Sequence, residues 1–399
     1  MITEARHSSY LFLAAAATLT MLHPAAAQEK LKIGVIGQLS GPFADAGLQT
    51  KQGIETYLAL HGNRVGGREI ELLYRDVGGP KPAMAKQLAE ELIVKDKVSM
   101  LAGFYLSPEA SAAASVVTET RTPAVLMNAT SAPVVGESPF FVRPSNSIWQ
   151  LEPPAAEWAI KQGKKKAYIA VADYAPGWDV QEAFKTSFTA RGGQIVGEDR
   201  IPLRTVDFAP FAERIAQAKP DVLMMFVGTG APAVGFLKAL VAQGVVGRDI
   251  TVIGQSEMDD PDLPKFDDSI VGVYSTITYA LGLPYEENRK FKDGVKAKFG
   301  SAVPNFVMAE SYDSMDVLFH MIESQQGKPF DGASAVASAL GYSWNGARGP
   351  LTIEPDTRDV TLNVYIRRVA KVDGHLENVV VDTYKAVKDP WAQIQKQKK

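Results

Sequence analysis

The sequence predicts an α/β fold of two Rossmann-like lobes joined by a three-strand hinge. Short apolar runs rich in β-branched residues alternate with helically spaced segments along most of the chain, the pattern of mostly parallel sheets covered by helices. The alternation comes in two similar series, one opening near Lys30 and the other near Trp149. At 399 residues the chain is also long for a single hydrophobic core. The predicted division is residues 28–146 with 278–355 for one lobe, and 147–277 with 356–399 for the other.

In the first series, Leu31, Ile33, Val35 and Ile36 form a strand apolar enough to be buried on both faces. Gly37, Ser40, Gly41 and Pro42 end it, and Leu48 to Leu60 carries helical spacing. Glu69–Arg75 is the next strand, Pro82–Lys95 a helix and Val98–Ala102 a third strand. Ser107-Pro108-Glu109 then reads as a helix start, with Ser at the cap and Pro at the first helical position. Pro123–Met127 is a strand closed by Asn128-Ala129-Thr130-Ser131, and Arg143-Pro144-Ser145 is the first crossing between lobes.

The second series starts with a helix over Trp149–Lys161 and a strand over Lys166–Ala172, followed by a turn, DYAPGWD, from Asp173 to Asp179. A helix over Val180–Arg191, a strand over Gln194–Asp199 and a helix over Phe208–Gln217 come next. Asp221–Val227 is a fully apolar strand that turns through Gly228-Thr229-Gly230 into the helix Ala233–Gln243. Strands over Ile250–Ile253 and Val271–Thr278 complete the series. Helices at Glu286–Phe299, Met308–Ser324 and Ala333–Leu340 precede a crossing strand near Leu351 and a late hairpin around Asp373-Gly374.

Residues 1–27 are of a different kind. Arg6, an Ala/Leu-rich run from Tyr10 to Leu22 and the small residues Ala25-Ala26-Ala27 match a cleaved secretory leader, which places the protein in the periplasm. The alternative, a membrane anchor, requires a longer apolar run, and no Cys follows the run to carry a lipid.

Several chemistries are excluded. Net charge is −3 with no basic block beyond Lys164–Lys166, so no nucleic-acid partner is expected. Without Cys there is no disulfide, thiolate nucleophile or Cys-based metal site. His61, His320 and His375 lie far apart, and neither a GxSxG elbow nor a GxxxxGK[ST] loop occurs. One motif competes: Gly228-Thr229-Gly230-Ala231-Pro232-Ala233 fits GxGxx[G/A] after an apolar strand, with Glu257 a loose match for the ribose-binding acid. A nucleotide-using enzyme is therefore an alternative. A cleft-facing helix start reads better, and neither a cofactor nor a metal is expected.

In open α/β sheets, ligands bind beyond the carboxyl ends of the strands. The turns there carry Leu39, Phe104, Tyr105, Ser107, Asn128, Ala129, Thr130, Tyr174, Trp178, Gly228, Thr229, Gln255, Glu257 and Tyr279. Hydroxyls and free N–H groups at Ser107 and Ala129-Thr130 suit a carboxylate, and the aromatic residues suit a ring.

In order, KIGVIGQLSGPFADAG, GFYLSPEA, NATSA, DYAPGWD and IGQSE resemble the type I periplasmic binding proteins of the branched-chain amino acid (Leu/Ile/Val) binding family. The resemblance covers nearly all of the chain after the leader. It implies a monomeric, hinged carrier without catalysis that delivers a solute to the membrane permease of an ABC importer. It also implies that Ser107, Ala129 and Thr130 hold the ligand carboxylate, that an aromatic in the DYAPGWD turn closes over it, and that an acid near IGQSE receives an α-ammonium. Three positions depart from the pattern: Pro176 stands where Tyr is usual, Glu257 is one position off the usual acid, and Leu106 replaces a Cys of some relatives. These departures favour an aromatic acid of the benzoate or cinnamate type over a branched-chain or aromatic amino acid. A ligand sensor of the same fold is a further alternative.

Overall fold

The structure, a computed structural model, describes residues 1–2, 30–247 and 249–397. Apart from its first two residues, the leader expected over residues 1–27 lies outside them. No described helix is long and apolar enough to cross a membrane.

The first sheet forms from β1 (Leu31–Gly37), β2 (Arg64–Val65), β3 (Arg68–Asp76), β4 (Met100–Gly103), β5 (Ala124–Leu126) and β6 (Phe141–Val142). Its order is β2-β3-β1-β4-β5-β6, parallel except for the β2–β3 hairpin. Between the strands run α1 (Ala44–His61), α2 (Pro82–Val94) and α3 (Ser107–Thr120). Alternate βα units force this arrangement, because parallel neighbours need a crossover long enough to be a helix.

The second series follows with α4 (Ile148–Lys161), β7 (Lys166–Ala172), α5 (Ala175–Ala190), β8 (Gln194–Ile201), α6 (Ala209–Ala218), β9 (Val222–Phe226), α7 (Ala231–Ala242), β10 (Thr251–Gly254) and β11 (Tyr274–Ile277). Strand β9 is apolar throughout because both of its faces are covered. Leu223 and Met225 enter one core with Phe236 and Leu240, while Met224 and Phe226 enter another with Ile169 and Phe184. Strict alternation of side chains along a strand produces this division.

Helices α8 (Glu286–Phe299), α9 (Phe306–Glu323) and α10 (Gly332–Ala339) return to the first lobe. Phe291, Tyr312 and Met315 there share a core with Ile33, Ile54 and Tyr57. Strands β12 (Ser343–Gly346), β13 (Gly349–Ile353), β14 (Val360–Val372) and β15 (His375–Val387) then lead to α11 (Trp391–Gln397). The second sheet runs β12-β13-β14-β11-β10-β9-β7-β8, with β15 alongside β14. Asp373 and Gly374 both take positive φ, 48° and 86°, as a two-residue hairpin turn requires.

The lobe boundary predicted at residue 355 is displaced. Leu362, Val364 and Tyr365 of β14 belong to the first core, Ile366 and Val369 to the two cores of the second sheet. One long strand thus makes the last crossing, since thirteen extended residues reach across both lobes. The other crossings follow β6 and β11. Buried arginines hold the crossings: Arg143 on Asp359 (2.6 Å), Arg348 on the carbonyls of Pro144 and Ser145 (2.7 Å each), and Arg367 on the carbonyl of Tyr279 (3.0 Å).

Candidate ligand-binding site between the lobes

The first-lobe wall begins where β4 ends. Gly103 and Phe104 both take positive φ, 98° and 61°, which folds the chain back sharply before α3. A positive φ is costly for a non-glycine residue; Phe104 bears it with its N–H on the carbonyl of Ile36 (2.8 Å). Its ring is fully buried in the first core. The expectation that Phe104 touches ligand therefore gives way, and the adjoining Tyr105 is the aromatic that reaches the cavity.

Ser107 is the first residue of α3 rather than its cap. Leu106 holds the cap position and no side chain caps the helix. The Ser107 Oγ instead accepts the N–H of Ser131 (3.0 Å), leaving its own proton free to donate into the cavity. Ala129 takes φ 55° and offers its carbonyl to Arg143 (3.0 Å). Its methyl is buried, so its contribution is the turn that carries Thr130 to the cavity wall. The Thr130 hydroxyl makes no hydrogen bond among the described residues. Asn128 lines the same wall and donates to Glu310 (3.2 Å).

On the second lobe, the segment DYAPGWD is not a free turn. Pro176 sits in the first turn of α5, so the helix begins at Ala175, five residues before the predicted start. Tyr174 becomes its N-cap, lines the cavity and stacks on Phe226 at 6.1 Å and 9°. Trp178 is carried onto the outer face, 46% exposed. There its Nε1 donates to Asp173 (2.8 Å) and the Arg200 guanidinium lies over its ring (5.5 Å). It is not a closing aromatic.

Gly228 and Gln255 line the cavity. Thr229 lies beside it, in an adjoining groove with Phe43, and its Oγ1 stands 3.4 Å from the Tyr105 hydroxyl across the cleft. Leu39 is exposed and outside the cavity lining, its N–H on Asp76 (2.8 Å). Tyr279 is a core residue, fully buried, with its hydroxyl on Asn288 (3.0 Å). The lobes touch beyond the cavity as well: the Asp179 carboxylate of α5 accepts from the Ser131 hydroxyl (2.7 Å) and the Ala132 N–H (2.9 Å).

The nucleotide alternative is not supported at Gly228–Gly230. The Gly230 N–H, where a pyrophosphate would sit, faces the Asp262 carboxylate (3.3 Å), and an acid there repels phosphate.

Residues 30–374 match the model of a periplasmic binding protein family. The chain belongs to that family. It is 39% identical to a Leu/Ile/Val-binding protein homologue of Brucella melitensis over 96% of this chain and 99% of that one. A solute-binding protein of an ABC transporter from Rhodopseudomonas palustris HaA2, solved with p-hydroxybenzoic acid, shares its fold at a TM-score of 0.88 and 39% identity, covering 92% of this chain and 100% of that one. Another from strain BisB5, solved with 3,4-dihydroxybenzoic acid, gives 0.86 and 38%, covering 91% and 99%. The two-lobed fold is thus that of the periplasmic binding proteins, and solute binding is the family's role.

In this periplasmic binding protein the acid expected to receive an ammonium is placed otherwise. Glu257 is fully buried, outside the cavity lining, with Oε1 on the Val227 N–H (2.8 Å) and Oε2 on the Gln255 N–H (2.7 Å). Burial pushes its carboxyl from 4.5 up to about 7. Its share of stability is therefore present below the ordinary value and lost as pH rises through about 7. In Glu257→Gln one N–H faces an amide N–H, which costs about 1–3 kcal/mol. Urea unfolding should show that deficit, larger near pH 5 than near pH 8 because the amide does not titrate. Unchanged stability together with altered amino-acid affinity would return Glu257 to the ligand.

Several further residues line the cavity of this periplasmic binding protein, among them Leu151, Phe226, Ile277 and Phe306. As apolar residues of helices and strands they carry no local mark separating cavity from core. Phe306 had one signal: Asn305 caps α9 by accepting the Met308 N–H (3.0 Å), and the cap opens at the cleft.

Proposed function

We propose that this protein captures an aromatic carboxylate of the hydroxybenzoate class between its lobes and delivers it, as a periplasmic monomer, to the permease of an ABC importer. The observation that carries this reading is the cavity lining. It offers aromatic rings in Tyr105, Tyr174, Phe226 and Phe306, and hydroxyls in Ser107 and Thr130, but among the described residues no Asp, Glu, Lys or Arg. A carboxylate finds donors there, and a ring finds apolar walls. An α-ammonium finds no anion to offset the loss of its hydration. The two Rhodopseudomonas proteins solved with hydroxylated benzoic acids support the same ligand class.

Thermal denaturation of ligand-stripped protein against benzoates, cinnamates and amino acids tests it. A ligand at a hundred times its Kd adds about 2.7 kcal/mol to the folded state. Benzoates should raise the melting temperature and leucine should not. A shift with leucine alone would overturn the aromatic-acid reading in favour of amino-acid binding.

A further inference from the structure

Gln255 and Glu152 form a polar pair that the fold does not need. Glu152 lies in α4, fully buried, and its Oε1 accepts from the Gln255 side-chain N–H₂. Its Oε2 is buried with no partner. A buried carboxyl with one neutral partner costs stability, and an apolar side chain there would pack without that cost. Burial also holds the Glu152 carboxyl well above its ordinary range.

What the pair does accomplish is to aim an amide. With one N–H of its amide on Glu152 and its backbone N–H on Glu257, Gln255 keeps its side-chain carbonyl oxygen and its second amide N–H for the cavity. Gln255 is 3% exposed and lines the cavity from the second lobe. Ser107 and Thr130, donors suited to a carboxylate, lie on the first, and the Ser256 hydroxyl lines the second. A carbonyl held this way is an acceptor that a ring O–H satisfies and an unsubstituted ring does not.

Building on the reading of the cavity as an aromatic-acid site, we propose that Gln255 accepts a hydrogen bond from a ring hydroxyl of the ligand, and that Glu152 is the positioning residue that fixes the amide for it. The protein then selects hydroxylated over unsubstituted benzoates. An unsubstituted ring leaves the buried carbonyl without its bond, and the unpaired acceptor is what rejects it.

Calorimetric titration of ligand-stripped full-length protein with 4-hydroxybenzoate and benzoate reads this as a ratio of affinities. Wild type should favour 4-hydroxybenzoate about tenfold. Gln255→Leu should bring the ratio near one, and Gln255→Met repeats the test if the first variant does not fold. Glu152→Leu should lower the ratio as well, whereas Glu152→Gln, which keeps a carbonyl acceptor, should preserve it. A purely structural Glu152 would change both affinities alike and leave the ratio fixed, which overturns its positioning role. An unchanged ratio in the Gln255 variants, with benzoates still bound, overturns the hydroxyl contact while the aromatic-acid reading stands. If wild type binds neither acid, both fail together.

Discussion

Thr130→Val weakens binding of an aromatic carboxylate about tenfold to a hundredfold and leaves the melting temperature of the ligand-free protein nearly unchanged. The substitution keeps the β-branched shape and removes one hydroxyl. That hydroxyl bonds no other described residue, so the empty protein loses little. A hydrogen bond to a charged group contributes about 1.5–3 kcal/mol, and about 1.4 kcal/mol is tenfold in Kd. Ser107→Ala should cost similar affinity but also some stability, because the Ser131 N–H then loses its acceptor. Calorimetry and thermal denaturation together separate the two. Unchanged affinity in Thr130→Val would mean that the carboxylate sits elsewhere.

Arg348→Met lowers folding stability by about 3–5 kcal/mol, the loss expected when one member of a buried ion cluster is removed. The Arg348 side chain is wholly buried, its Nε on Asp313 (2.8 Å) and its two terminal nitrogens on the carbonyls of Ser145 and Pro144 (2.7 Å each). Glu310 lies 3.7 Å away and holds Asn128 of the cavity wall. Burial already pushes the Asp313 carboxyl up to about 6 and that of Glu310 up to about 7, with Arg348 opposing the rise. Without the guanidinium both must protonate or stay charged and unpaired, and two hinge carbonyls lose their donors. The midpoint of urea unfolding measures the effect. A loss below about 1 kcal/mol would show that the cluster does not depend on its cation.

Sequence information stops where bonding partners lie far apart in the chain. Arg348 had no mark in the sequence, because its partners lie on α9 and in the first crossing, 35 and about 200 positions away. Thr130 was legible, since hydroxyls beyond a strand end belong to the local turn. Trp178 was misplaced by one local fact. Pro176 opens a helix instead of sitting in a turn, and residues on a helix follow its periodicity outward. Glu257 was misread for a different reason. Its position after β10 was correct, but whether an acid there faces ligand or backbone depends on where the N–H groups of Val227 and Gln255 point.

By itself the sequence determined the alternation of strand and helix, the doubling of that series and the carboxyl-end turns with the hydroxyls they carry. These follow from local chain chemistry: β-branched apolar runs, glycine and proline breaks, and side-chain type. Only the tertiary structure decided which of those turn residues face the cavity, that no charged side chain among the described residues lines it, and that buried arginines join the crossings. Those outcomes depend on pairs distant in sequence, and on the balance between desolvation and pairing that exists only once both lobes are packed.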